Sequence, residues 1–122
     1  MCKILISIKP EFVESIMKGK KDFEFRKVEC KRKVDKIIIY STSPVMQVVG
    51  EADVEEVLID SPEEIWGITE KRAGISKNFF DEYYKDKAKA VAYKLNNIKK
   101  YDEPLTLERF GLSVAPQSFA YI

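Results

Sequence analysis

The chain has 122 residues, 45% apolar and 34% charged, with a net charge of +1. That is enough chain for one domain with a real core, spanning 1–122, and the composition excludes a disordered or fibrous protein. Histidine is absent and Cys2 and Cys30 are the only thiols, so no metal, no cofactor and no histidine-based nucleophile is expected. No apolar run is long enough to cross a membrane, and Met1 to Ile8 is too short for a signal peptide, so a cytoplasmic location is expected. The charge is unevenly spread. From Lys18 to Lys36 nine bases stand against four acids, a balance of +5, whereas Glu51 to Glu64 holds seven acids and no base. Lys31, Arg32 and Lys33 either decorate a turn or form a basic patch that draws phosphates.

Lys3 to Ile8 alternates, with Ile4, Ile6 and Ile8 opposing Leu5 and Ser7, which predicts a strand. Pro10 suits a first helical turn, and Phe12, Val13, Ile16 and Met17 share one helical face. Gly19 should stop that helix. The period then changes from about 3.6 residues to about 2, so Phe23 and Phe25 point one way and Asp22, Glu24 and Arg26 the other. A pair of core aromatics thus supports a row of charges, towards which Lys21 can swing. Glu24 and Arg26 are either a solvated ion pair of little value or part of a site.

Lys36 to Tyr40 is a β-branched run, expected as a buried central strand, and Ser41-Thr42-Ser43-Pro44 places hydrogen-bonding groups at its end. Gly50 inside the next strand suggests a bulge or barrel corner, and that strand runs on through Val54, Val57 and Ile59. Ser61, Pro62 and Glu64 form a helix start, with Gly74 as its stop. Ser76 opens a second helix, whose Phe79, Phe80, Tyr83 and Tyr84 read as mostly core; an exposed Tyr83 or Tyr84 would instead stack on a base. Lys87 to Leu95 alternates with Ala88, Ala90 and Ala92 on one face, predicting a strand with a helix packed close. A short helix capped by Thr106 and stopped by Gly111 follows, with Leu105 and Phe110 as a hydrophobic staple. Gln117 and Ser118, polar at the start of a last strand, are site candidates. The element order is β-α-β-β-β-α-α-β-α-β, an α+β pattern.

Three motifs in order carry a resemblance. Gly19 to Arg26 reads G-x-K-x-x-E-x-R after a strand and a helix. Tyr40 to Pro44 reads Y-x-x-x-P and leads into Val48-Val49-Gly50. Pro116 to Tyr121 reads P-Q-S-F-x-Y. Together they resemble the ASCH domain of the PUA-like superfamily, in its small single-domain form. The resemblance implies a small PUA-like β-barrel of mixed, mostly antiparallel strands with peripheral helices, those between Ser61 and Asp86 covering one opening. It also implies a cleft lined by Lys21, Glu24 and Arg26. In such a cleft Arg26 offers a fork, Lys21 a mobile phosphate charge and Glu24 an acceptor for exocyclic amino groups. Ser41, Ser43, Gln117 and Ser118 would add neutral hydrogen bonds. The partner implied is RNA or a nucleotide, and the role a regulator of transcription or translation.

Some small ASCH-like proteins are amidohydrolases that deacetylate N4-acetylcytidine with a lysine, a threonine and a glutamate. The lysine matches Lys21, but the threonine position falls on Glu24, which is no hydroxyl nucleophile. Ser41, Thr42 or Ser43 would have to supply the hydroxyl, with Lys21 as base. A protein-interaction module, using the acidic stretch from Glu51 to Glu64, is the third reading.

Overall fold

β1 (Lys3–Ile8) is apolar on both faces, and the fold is built around it. The computed structural model describes residues 1–122. After β1 come α1 (Pro10–Met17), β2 (Phe23–Arg26), β3 (Lys36–Ser41) and β4 (Gln47–Asp60). These are followed by α2 (Pro62–Thr69), α3 (Lys77–Tyr83), β5 (Ala90–Leu105) and β6 (Phe119–Tyr121). Short 3-10 turns lie at Glu70–Arg72 and Leu107–Phe110. The six strands form one mixed sheet in the order β2-β5-β4-β3-β1-β6, curled into a half-barrel. Only β1 and β3 run parallel; every other pairing is antiparallel.

One face of β1, with Ile4, Ile6 and Ile8, packs on Ile37 and Ile39 of β3, Val13 and Ile16 of α1, and Val91, Tyr93 and Leu95 of β5. The other face puts Leu5 with Ile38, Tyr40 and Val48, and the turn carrying Leu107 and Phe110 covers them. That turn has Gly111 at φ 78 as its stop but is 3-10 rather than α-helical, and Thr106 makes no side-chain cap. α2 and α3 close the far end, burying Ile65, Phe80 and Tyr84 against Phe23, Phe25, Ala90 and Ala92. The small side chains of Ala90 and Ala92 on β5 lie in the same cluster as Ile65, and α2 is the helix that packs on β5 there. Ser61 Oγ accepts from Glu64 N–H at 3.3 Å, so half of the expected capping box forms. The other half is replaced by Asp60, whose carboxylate accepts from Ser61 N–H at 2.7 Å. α2 ends at Thr69, earlier than its expected stop at Gly74.

β4 shifts register on both sides near Gly50, which places the bulge there. A Cβ on Gly50 would stand 2.5 Å from the Lys99 carbonyl oxygen and 2.6 Å from Met17 Cε, so only glycine lets β4, β5 and α1 converge. β5 differs from expectation at both ends. It starts at Ala90, leaving Ala88 outside, and runs on to Leu105. No helix is long and apolar enough to cross a membrane.

Candidate functional site

β2 and β6 are the two edges of the curled sheet, and the site occupies the seam near them. Arg26, last residue of β2, donates to the Ser7 carbonyl of β1 at 2.6 Å and so spans the seam. Ser7 is held from the other side: its Oγ donates to the Pro116 carbonyl at 2.7 Å and its N–H to the Ser118 carbonyl at 3.3 Å. This brings the G-x-K-x-x-E-x-R strand and the P-Q-S-F-x-Y segment to one place. α1 and α3 overhang it, enclosing a cleft of about 360 Å³. Its floor is Lys21, Glu24 and Arg26; Phe12, Phe25, Ile75, Phe79 and Tyr83 wall it, and Ser7, Lys9, Thr42 and Gln117 complete the rim.

Glu24 and Arg26 form a fixed pair. Arg26 donates from Nε at 3.0 Å and from a terminal nitrogen at 2.8 Å, both to Glu24 Oε2. Their side chains are only 7% and 13% exposed, so the pair is shielded from screening. Glu24 Oε1 takes part in no hydrogen bond within the protein and is left to the cleft. Two tyrosines steady the backbone beneath: Tyr84 Oη donates to the Arg26 carbonyl at 2.8 Å and Tyr83 Oη to that of Phe25 at 3.4 Å. Burial raises the pKa of both phenols, so they remain donors at neutral pH.

Lys21 is not the swinging charge that its position in the sequence suggests. It is 2% exposed, and its ammonium donates to the Ala73 carbonyl at 2.9 Å. The same nitrogen lies 4.7 Å from the ring centre of Phe25 and 5.4 Å from that of Phe12. Burial pulls its pKa from 10.5 to about 8, with Arg26 pushing the same way and Glu24 opposing. The seat comes from the stretch after α2. Arg72 Nε donates to Asp22 at 2.8 Å, a terminal nitrogen of Arg72 donates to the Gly19 carbonyl, and Asp22 N–H donates to the Arg72 carbonyl at 2.9 Å. Those bonds clamp the residues on either side of Lys21.

The other candidates separate. Gln117 joins Lys21, Glu24 and Arg26 on the cleft, whereas Ser41, Ser43 and Ser118 are not among its lining residues and Thr42 is. Ser41 is the last residue of β3 and is 2% exposed, so the hydroxyl that reaches the cleft belongs to the next residue. Lys31, Arg32 and Lys33 border a second, smaller concavity with Cys30, Val57 and Tyr93. There the Arg32 guanidinium lies 4.4 Å from the Tyr121 ring centre, and Tyr121 Oη accepts from Lys31 N–H at 3.1 Å. Phe12 and Phe79 are cleft walls that periodicity alone assigns to the core. The signal for Phe79 is the pairing 79/83 beside 80/84, a stripe wider than so short a helix can bury.

Residues 1–118 match the family described as a domain of unknown function, DUF365. The crystal structure of ASCH from Zymomonas mobilis superposes with a TM-score of 0.88 at 28% identity, covering 98% of this chain and 87% of that one. In sequence, the chain is 34% identical over 120 residues to the large ribosomal subunit protein uL22 of Ureaplasma parvum, 98% of this chain but 39% of that protein. It is also 32% identical over 94 residues to an ASCH domain-containing ribonuclease of Zymomonas mobilis, 76% of this chain and 64% of the relative. The chain thus spans well under half of the first relative's length and just under two thirds of the second's. It belongs to the DUF365 family and is an ASCH domain.

Proposed function

We propose that the cleft binds single-stranded RNA, taking one nucleobase into the seam beside Glu24 and Arg26. The observation that carries this is the unused Glu24 Oε1, an acceptor held by the Arg26 pair in a cleft that Lys21 and several aromatic side chains also line. A base edge carries both donors and acceptors, and RNA bases are read when splayed out, bonded on that edge and stacked on a ring. Glu24 accepts from an amino group, while Arg26, Lys21 and Gln117 serve the ring nitrogens and carbonyls. The cleft volume suits a small planar ligand. The ribonuclease name of one relative supports an RNA ligand. Binding of this kind would serve a regulator of transcription or translation. The test is titration of labelled single-stranded RNA: Glu24→Gln should weaken binding of bases that carry an amino group by about 1–3 kcal/mol, the range for one good base-edge contact. Absence of RNA affinity in the wild type would remove the reading.

A second reading, hydrolysis of an RNA component, rests on one observation: an amine pushed to about 8 shares the cleft with the Thr42 hydroxyl. A lysine near that value exchanges a proton close to neutral pH. Incubation of wild type and Lys21→Ala with RNA and with N4-acetylcytidine decides the matter. Turnover that vanishes in Lys21→Ala makes the protein an enzyme; no turnover by the wild type leaves a binding module.

A further inference from the structure

α3 and its C-cap residue Tyr84 carry two aromatic pairs with different fates. Phe80 and Tyr84 are buried in the core, whereas Phe79, 38% exposed, and Tyr83, half-buried against that core, line the cleft. The Phe79 and Tyr83 rings are within 12° of parallel with centres 6.4 Å apart, and Phe12 meets Phe79 edge-on at 5.2 Å. Each ring also holds a lysine. Lys9 Nζ lies 5.7 Å from the Phe79 ring centre and Lys27 Nζ 4.5 Å from that of Tyr83. Neither lysine is in a salt bridge. Core packing accounts for Phe80 and Tyr84 and in part for Tyr83, whose hydroxyl is also tied to the Phe25 carbonyl. It does not account for the exposure of Phe79, nor for a lysine without a salt bridge over each of two near-parallel rings at the mouth of a cleft.

We propose that Phe79 and Tyr83 form a second base subsite, a stacking platform for the nucleotide adjoining the one in the cleft, with Lys9 and Lys27 as its phosphate contacts. This rests on the RNA reading and extends it from a single nucleotide to a single strand crossing α3. Ring stacking combined with a basic track is how single strands are held without regard to sequence, because every base has a π-face. The lysines serve as placeholders. An exposed cation–π contact is weaker than a stacked base, so each ammonium moves to a phosphate as a base takes its ring. The two lysines also favour an anionic strand over an apolar protein surface, since protein interfaces are depleted of lysine. A duplex is excluded because its base faces are already stacked on one another.

The experiment compares the affinities of the 5′-mononucleotides and of a short mixed-sequence single-stranded RNA, for wild type, Phe79→Leu/Tyr83→Leu, Phe79→Trp and Lys9→Gln/Lys27→Gln. The leucine pair should cut the advantage of the oligomer over the mononucleotides by about tenfold to a hundredfold, the size of one lost stack. Phe79→Trp, which keeps a π-face, should retain that advantage; should the leucine pair not fold, the glutamine pair is the test, and an oligomer salt slope unchanged in it overturns the platform. The glutamine pair should lower the slope of log affinity against log salt by about 1.4, for two phosphates on a single strand. An unchanged advantage in the leucine pair, or equal losses for mononucleotide and oligomer, overturns the platform. So does a wild type that binds mononucleotides and gains nothing from the oligomer, which leaves the cleft reading intact. A wild type that binds neither overturns both.

Discussion

Gly74 and Lys21 are packed against each other so closely that no side chain fits at residue 74. A Cβ there would stand 2.6 Å from Lys21 Cγ, 3.0 Å from its Cα and closer still to its Cβ, and Gly74 has φ +71. The left-handed backbone costs any non-glycine residue about 1–2 kcal/mol. The collision adds overpacking, typically about 1–3 kcal/mol. Gly74→Ala should therefore lower the unfolding free energy by at least about 2 kcal/mol in urea denaturation. Because the intruding methyl displaces Lys21, it should also weaken RNA binding when assayed well below the unfolding midpoint. A variant as stable as the wild type would show that Lys21 is not seated as described.

The burial of Lys21 has a pH signature. Its folded pKa, about 8, lies below the ordinary 10.5. Between those values the unfolded chain holds a proton that the folded chain has released, so this group makes stability rise with pH across that window. Below pH 8 the cost of burying the charge is fully present. The difference in unfolding free energy between wild type and Lys21→Met should therefore climb by roughly 3 kcal/mol from neutral pH to pH 10.5. Tyr84, Tyr93 and Tyr101 have pKa values raised by burial and act in the opposite sense above their ordinary range, but they are common to both proteins and cancel. A flat difference across the window would mean that the amine is solvated.

Local pattern made much of this fold legible. The alternation in β1 and β2, the stop at Gly19 and the bulge at Gly50 all follow from rules that act over a few residues. The far end of β5 did not, because Asn96 and Asn97 break the alternation. In the fold Asn97 adopts φ 49 and donates to Asp53 at 2.9 Å, so a bulge secured by the neighbouring strand carries β5 onward. The site was half legible for a similar reason. The spacing of Glu24 and Arg26 sets them on one face, but the partner that buries Lys21 is the carbonyl of Ala73, supplied from 52 residues away. Phe79 escaped because a helical stripe does not say which of its members the rest of the fold will cover.

Gly50 offers a check on the convergence of β4, β5 and α1. Gly50→Ala should destabilise by about 1–3 kcal/mol through overpacking. One of its two clashes is with Met17 Cε, the end of a flexible side chain; the other is with the Lys99 backbone, which cannot yield. Met17→Ala should therefore rescue Gly50→Ala only in part, with a coupling energy of about 0.5 kcal/mol or more. Strict additivity of the two changes would contradict the packing.

The basic patch and the cleft should separate by salt. Lys31, Arg32 and Lys33 flank a concavity distinct from the cleft, so contacts made there would reach phosphates alone. Replacing all three with glutamine should weaken RNA binding equally for all sequences and lower the salt slope by about 2. A change in base preference would argue that the patch reads bases.

On the RNA reading base preference falls to Glu24, and its amide variant tests that directly. Arg26→Ala is a blunt tool. It strands a carboxylate whose side chain is 7% exposed and removes the bond to the Ser7 carbonyl, and breaking a buried pair in this way costs about 3–5 kcal/mol of stability. Glu24→Gln keeps the shape. Its amide oxygen can take the place of Oε2 and still accept from Arg26, which turns the NH2 group into the position that Oε1 holds. An acceptor facing the cleft thereby becomes a donor. Bases that present an exocyclic amino group should lose about 1–3 kcal/mol of affinity relative to uracil, while stability changes little. The measurement is calorimetric titration of the four mononucleotides into both proteins, with urea denaturation alongside. The assignment is falsified if the order of affinities is the same in both.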